Sequence, residues 1–189
     1  MGKCKMGSAY YENLIKTVIN NSFAKTWEEA VKEWEIVDCE EDEECSSQCV
    51  CGKENIKYLY LIHNRKTDKH LFPIGSTCIN KFGRDDLNEE IKIKEGLFKL
   101  MHAILDGKRI ELTSEYFSRK LLYALYEGGA FTDNQFNHFN AHNDYLFLLE
   151  CFNKRDKSTI TDRKSKKINS LIAYSIKPYL VRTLKIKKK

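Results

Sequence analysis

An α+β fold is what this sequence predicts: a small β-hairpin set between N-terminal helices and a helical C-terminal half. Three observations lead there. Residues 56 to 63 alternate in strand fashion and are rich in Tyr, Ile and Leu, "NRKTD" reads as a turn, and "HLFPI" reads as a returning strand. Apolar residues recur at helical spacing on both sides of that hairpin. Gly107 and the pair Gly128-Gly129 sit where helical patterns stop.

Tyr11, Leu14, Ile15, Val18 and Ile19 share one helical face, with Ser8 as the expected N-cap. Thr26 and Glu29 have the spacing of a capping box, predicting a second short helix through Ala30, Val31 and Trp34. The run "DCEEDEECSSQ" is acidic and poor in apolar residues, so a linker is expected over 37–48. Pro73 lacks a backbone donor, which places it at a strand end or edge. Gly75 breaks the strand, and Ser76 can cap a short helix ending near Gly83. Beyond it, Leu87 to Leu105 predicts a long amphipathic helix and Ser114 to Glu127 another. "TDNQFNHFN" and "NDYLFLLECFNK" follow as shorter helical pieces, and Thr161 caps a last helix carrying Ile168, Leu171 and Ile172 on one face. The expected organisation is therefore N-terminal helices (1–36), an acidic linker (37–48), a hairpin module (49–84) and a helical region with a basic end (85–189).

The 189 residues suffice for one ordinary core or two small units. No apolar run approaches the roughly 18 residues of a spanning helix, so no membrane partner is expected. Neither a signal-peptide pattern nor a fitting myristoylation site opens the chain. The expected compartment is the reducing cytoplasm, where grouped cysteines read as metal ligands or plain thiols and not as disulfides.

The net charge of +5 is unevenly spread. Residues 28 to 48 carry ten acids against one base, whereas 154 to 189 carry thirteen bases against two acids. That segregation points to a polyanionic partner for the basic segments.

The thiols around the hairpin carry the clearest chemistry. In Cys49-Val50-Cys51-Gly52 the glycine permits a positive φ, so the chain can turn and aim two sulfurs at one ion. Cys78 stands in a first helical turn, where backbone N–H groups favour a thiolate. Knuckle, hairpin and helix N-terminus is the order of a treble-clef-like unit, and structural Zn²⁺ with four protein ligands is the expected cofactor. A fourth ligand is needed. His63, at the end of the first strand, is preferred over Cys45, Cys39 and His70. A [2Fe–2S] cluster fits less well, because the spacing matches neither common ferredoxin pattern.

Together with "WEEAVKEWEI" upstream, "CVCG", "LIHNRKT" and "IGSTCINKF" resemble a block in poorly characterised proteins of phages, mobile elements and large DNA viruses. The resemblance covers about residues 27–84. It implies a compact metal-binding module with Cys49, Cys51 and Cys78 as ligands, and attaches no activity to it.

On the final helix, 100° per residue gathers Arg163, Lys166, Lys167 and Lys177 on one side, opposite the apolar face, with Lys164 out of place. Lys185, Lys187, Lys188 and Lys189 extend this charge as a flexible tail, and Arg65, Lys66, Lys81 and Arg84 lie near the expected metal. Such cations can follow phosphates and release counterions. Tyr58 and Tyr60 are candidates for stacking unpaired bases, with a core role as the competing reading. His138 and His142 have a chelating spacing but lack the accompanying Glu.

The expected function is zinc-containing nucleic-acid binding without catalysis. The alternative is a protein-interaction module of the anti-defence (anti-CRISPR-like) type that occupies a host nuclease or polymerase. A thiol enzyme using Cys78, with His63 or His70 as base, is the third reading.

Overall fold

The structure, a computed structural model, describes residues 8–187. Helices and a sheet are both present, so the α+β class holds. The chain divides into two compact units. The first takes the described residues up to Lys92 together with those from Lys185, and the second is Ile93–Leu184.

In the first unit, α1 (Ala9–Asn20) buries Leu14 and Val18, two of the five residues on its apolar stripe. A one-turn α2 (Trp27–Ala30) passes through a 3₁₀ turn (Val31–Glu33) directly into strand β1 (Trp34–Asp42). Trp34 therefore begins a strand and does not continue a helix. Thr26 occupies the N-cap of α2 but its side chain accepts no capping bond, and the same is true of Ser8 on α1. The hairpin follows as β2 (Tyr58–Asn64) and β3 (His70–Ile74), then α3 (Ser76–Asn80). The sheet order is β3-β2-β1-β4, where β4 is Lys185–Lys187. β1, β2 and β3 are antiparallel neighbours, and β4 lies parallel to β1 opposite Glu40, Glu41 and Asp42. Pro73 falls on the edge strand β3, where its missing N–H costs no ladder bond.

Two expectations are corrected here. The acidic run is not a linker through its first half, because residues 37–42 belong to β1 and residues 38–41 are paired with β2. A strand so rich in acids is stable because each buried carboxylate has donors. Glu41, with no exposed side-chain surface, meets Lys57 Nζ at 2.9 Å. Asp42, 2% exposed, accepts from the Ser46 amide and hydroxyl and from the Ser47 hydroxyl at 2.6 Å. Asp38 pairs with Lys185. Nor is the basic end a flexible tail from Lys185 onward. Its first three residues form β4 on this acidic strand, while Lys188 and Lys189 lie outside the described residues.

Helix α4 (Asp85–Leu105) begins in the first unit, ends in the second, and stops before Gly107, whose φ is 71°. The second unit continues with α5 (Arg119–Glu127), capped by the Ser118 side chain, and α6 (Ala141–Asn153), capped by Asn140. α5 starts five residues later than the expected Ser114, since 114–116 form a turn. The last helix is α7 (Asp162–Leu171), a π-helical stretch (Ile172–Ile176) and α8 (Lys177–Thr183) in succession. Leu122, Leu125, Leu148, Cys151, Ile176 and Leu180 are fully buried in this unit. Among the described residues no helix is long and apolar enough to cross a membrane.

Candidate metal centre

The knuckle is a tight turn. Gly52 has φ 93°, its N–H donates to the Cys49 carbonyl at 2.8 Å, and Cys49 N–H donates to the Lys53 carbonyl at 2.8 Å. Only a residue tolerant of that φ closes the loop without strain. Val50 N–H donates to the Pro73 carbonyl at 2.9 Å, which fastens the knuckle to the outgoing end of β3. Next in the chain, Gly75 caps α3 and aims its N–H at the Cys49 sulfur, 3.3 Å away. Cys78 stands one turn on, with its own N–H bonded to the Gly75 carbonyl.

Three sulfurs therefore converge. Cys49 and Cys78 are 3.6 Å apart and Cys78 and Cys51 are 3.4 Å apart, all three 8% exposed or less. Among the described residues, theirs is the one group of three or more His, Cys, Asp or Glu ligand atoms within 4.8 Å of one another. A disulfide needs about 2.05 Å between sulfurs. Tetrahedral zinc, with Zn–S near 2.3 Å, sets sulfurs about 3.8 Å apart. The observed separations exclude a disulfide and are compatible with three thiols able to share one ion.

The three thiols differ in how readily they ionise. The Cys78 thiol hydrogen bond, working against burial and joined by backbone N–H groups of Cys51 and Gly75, pulls the Cys49 thiol down to about 5. Its Cys49 partner and then burial push Cys78 well above the ordinary thiol range, and burial raises Cys51. Cys49 is therefore the thiol that ionises first, and Cys51 and Cys78 hold their protons more tightly.

The expected fourth ligand is not in this group. His63 binds Glu35 Oε1 through Nδ1 at 3.1 Å and Asp68 Oδ1 through Nε2 at 2.9 Å, so both ring nitrogens are engaged. His70 stacks on it at 4.7 Å. These residues flank the hairpin turn, whereas the thiols gather at the open end. At about 3.3 Å per residue, His70 and the last residue of β3, Ile74, are roughly 13 Å apart along the strand. Cys39 is buried within β1, and Cys45 sits in the turn after it with φ 51°.

The residues expected to meet nucleic acid are scattered in role. Arg84 donates to the Val31 and Trp34 carbonyls and pairs with Asp86, so it fastens the chain before β1. Arg65 meets Glu35 at 3.4 Å, Lys66 meets Glu33 at 3.7 Å, and Lys81 lies over the Tyr11 ring. Lys167 meets the buried Asp144 at 2.8 Å and lies over Phe147. Lys164, which interrupts the predicted stripe, meets Glu150 at 2.8 Å. Arg163, Lys166 and Lys177 are exposed. Lys177 follows the π-helical stretch, whose wider turns hold more residues, so a phase drawn at 100° per residue does not carry to it.

Tyr60 is fully buried and forms part of the core. His138 is in a left-handed turn before α6, while His142 lies in α6, stacked on Tyr145 and tilted against Tyr126, so they do not share a helix. One contributor escaped sequence reasoning altogether. Asn13 of α1 donates to the Cys51 carbonyl at 3.3 Å, and a Cβ on Gly52 would lie 3.9 Å from the Tyr10 ring. No family model, curated protein or solved structure matches the chain.

Proposed function

We propose that this chain is a nucleic-acid-binding protein whose sheet unit is fastened by one structural zinc ion, and that it acts by binding and not by catalysis. The observation that carries the metal is the convergence of three buried sulfurs from two chain segments at one end of the hairpin. Cys49 and Cys51 would hold the knuckle and Cys78 would hold α3, in the manner of a treble clef. The ion would supply cross-linking where the loop between β1 and β2 has only one isolated bridge, Ser47 to Ile56. A thiol enzyme is less well supported, since Cys78 is buried against two sulfurs and His63 is engaged at the far end of the hairpin.

Support for nucleic acid comes from the basic end, thirteen bases against two acids over 154–189, with Arg163 and Lys166 exposed on α7. A phage or mobile-element origin belongs to the same proposal and rests on the residues resembling that block. If α7 makes three phosphate contacts, affinity for mixed-sequence DNA or RNA should fall about 40-fold between 50 and 200 mM salt. Arg163→Glu with Lys166→Glu should abolish retention. Absence of binding to either polymer at 50 mM salt sinks the nucleic-acid reading.

The second reading, a module that occupies a host nuclease or polymerase, is favoured by three rings on the second unit: Phe136, Phe139 and Tyr174 are 78%, 71% and 82% exposed. Exposed apolar surface marks a docking site where it is contiguous, and Phe136 and Phe139 stand only three residues apart. Binding to a protein partner that persists at 200 mM salt would decide for it.

A further inference from the structure

The hairpin does not present the pair of rings expected of it, because Tyr60 is buried. Rings gather instead along one seam of the second unit. Tyr126 of α5 stacks on Tyr145 of α6, with centroids 5.2 Å apart and planes 20° from parallel. His142 lies 5.7 Å from Tyr145 at 14° and 5.2 Å from Tyr126 at 34°. Tyr123 meets Tyr145 edge-on at 5.9 Å. Three rings from two helices thus share nearly one orientation, and a fourth stands across them.

Holding the two helices in the unit does not call for these rings. Leu121, Leu122 and Leu125 of α5 and Leu148 of α6 are the buried side chains that form their apolar faces. The rings stay at the surface: Tyr123 is 51% exposed, and His142 is exposed too. Aromatic side chains stabilise a core through the area they bury, so rings left in contact with water add little to it.

The seam also has a cationic end. Arg119, the first residue of α5, donates through Nε to Oδ1 of Asn153, the last residue of α6, at 2.8 Å. Along α5, Arg119, Tyr123 and Tyr126 are spaced i, i+4 and i+7 and so share one face. Arg119 is exposed and stands about 10 Å along the helix from Tyr126. Lys154 and Arg155 follow Asn153 in the chain. Glu127, the carboxylate beside the rings, accepts from the Tyr123 hydroxyl. Residues 93–184 carry fifteen bases against ten acids, so the charge around the seam suits a polyanion.

Resting on the nucleic-acid reading above, we infer that the α5–α6 seam is a stacking platform for unpaired bases, and that the polymer this chain binds is single-stranded. Base pairs in a duplex cover one another's faces, whereas a single strand can lay its bases on side-chain rings. Every base has a π-face, so the platform needs no particular sequence, and Arg119 is placed to meet a phosphate of the same segment.

Fluorescence anisotropy on the full chain tests this, with a labelled oligothymidylate and a blunt duplex of the same length at about 50 mM salt. The single strand should bind more tightly than the duplex. Tyr123→Ala and His142→Ala should each weaken it about fivefold or more, the loss of one stacked ring. His142→Phe, which restores a ring, should recover most of that affinity. Arg119→Gln should lower the slope of log affinity against log salt by about 0.7. In the unaltered chain, ring protons of His142 and Tyr145 should move upfield in NMR spectra as oligothymidylate is added, because a stacked base shields them. That reading depends on no variant folding. Binding to neither polymer sinks the nucleic-acid reading itself. Ring protons that stay in place, or equal affinity for the single strand and the duplex, overturn only the platform. So does loss of a protein partner, with oligothymidylate binding intact, in Tyr123→Ala and His142→Ala.

Discussion

Glu33 and His63 show how much a single side chain settles in this molecule. Glu33 is 3% exposed. Its carboxylate accepts from the Phe23 and Ala24 amides at 2.9 and 3.0 Å and from Asn64 Nδ2 at 2.9 Å. Burial alone would raise its carboxyl, but those donors, with Lys66 nearby, hold it below the ordinary 4.5. Its stabilising contribution is therefore complete above that value and is lost as pH falls through the lowered one. Glu33→Ala strands three donors and should cost about 3 kcal/mol in urea unfolding at pH 7. The cost should shrink at acid pH; an equal cost at pH 3 would contradict the account. His63 has the opposite sign. Glu35 and then Asp68 raise its pKa above 6.5, with Arg65 and the stacked His70 also beside it. Its contribution is present below pH 6.5 and fades as pH rises through the raised value. A proton NMR titration should place the His63 midpoint above 6.5, and His63→Ala should remove that part of the pH dependence. The sequence contained what was needed to reject His63 as a ligand. Cys51 precedes β2 and Cys78 follows β3, so both flank the open end of the hairpin, while His63 adjoins its turn.

At the scale of elements, the hairpin, α1, α4 and α6 were legible because their apolar periods are local, and α4 in addition stops just before Gly107. β1 was not legible. Its nine residues include five acids, and much of what makes it a strand lies elsewhere: Lys57 on the far side of a loop, and Lys185, 147 residues from Asp38. A window of local sequence shows the acids and the serines beside Asp42, and neither of these lysines. The break in phase between α7 and α8 was hidden for a similar reason, since nothing in a helical wheel announces a π-helical stretch. The β1 account makes a prediction about the pair Glu41 and Lys57. Glu41 is fully buried and Lys57 about half exposed. Solvent screens the pair, so Lys57→Met should cost about 2 kcal/mol and not the 3 to 5 of a fully buried pair. Adding Glu41→Leu should recover most of that loss, because the stranded charge is then gone. A double variant as unstable as the single one would show that β1 does not depend on charge pairing.

For the whole molecule, the metal reading implies that the two units differ in what holds them. All three converging thiols are in the first unit, in a region where the chain from 43 to 57 has few ladder bonds of its own. The second unit has a helical core of Leu122, Leu125, Leu148 and Ile176 and contributes no thiol to the cluster. A ligand bound only by the folded form stabilises it according to its concentration over its dissociation constant, about 2.7 kcal/mol at a hundredfold excess. Removing zinc by chelation should therefore speed amide exchange about a hundredfold or more at Cys49, Val50 and Gly75. Their N–H groups bond the Lys53 carbonyl, the Pro73 carbonyl and the Cys49 sulfur. Amides of Leu122 and Leu148 should keep their wild-type rates, since each lies inside a helix whose bonds involve no ligand. Exchange measured residue by residue, with and without chelator, reads both sets at once. Unchanged protection around the knuckle would mean that the three sulfurs are packed thiols and that the sheet stands without an ion. Equal acceleration in both sets would mean that the metal governs a single cooperative structure and not the first unit alone.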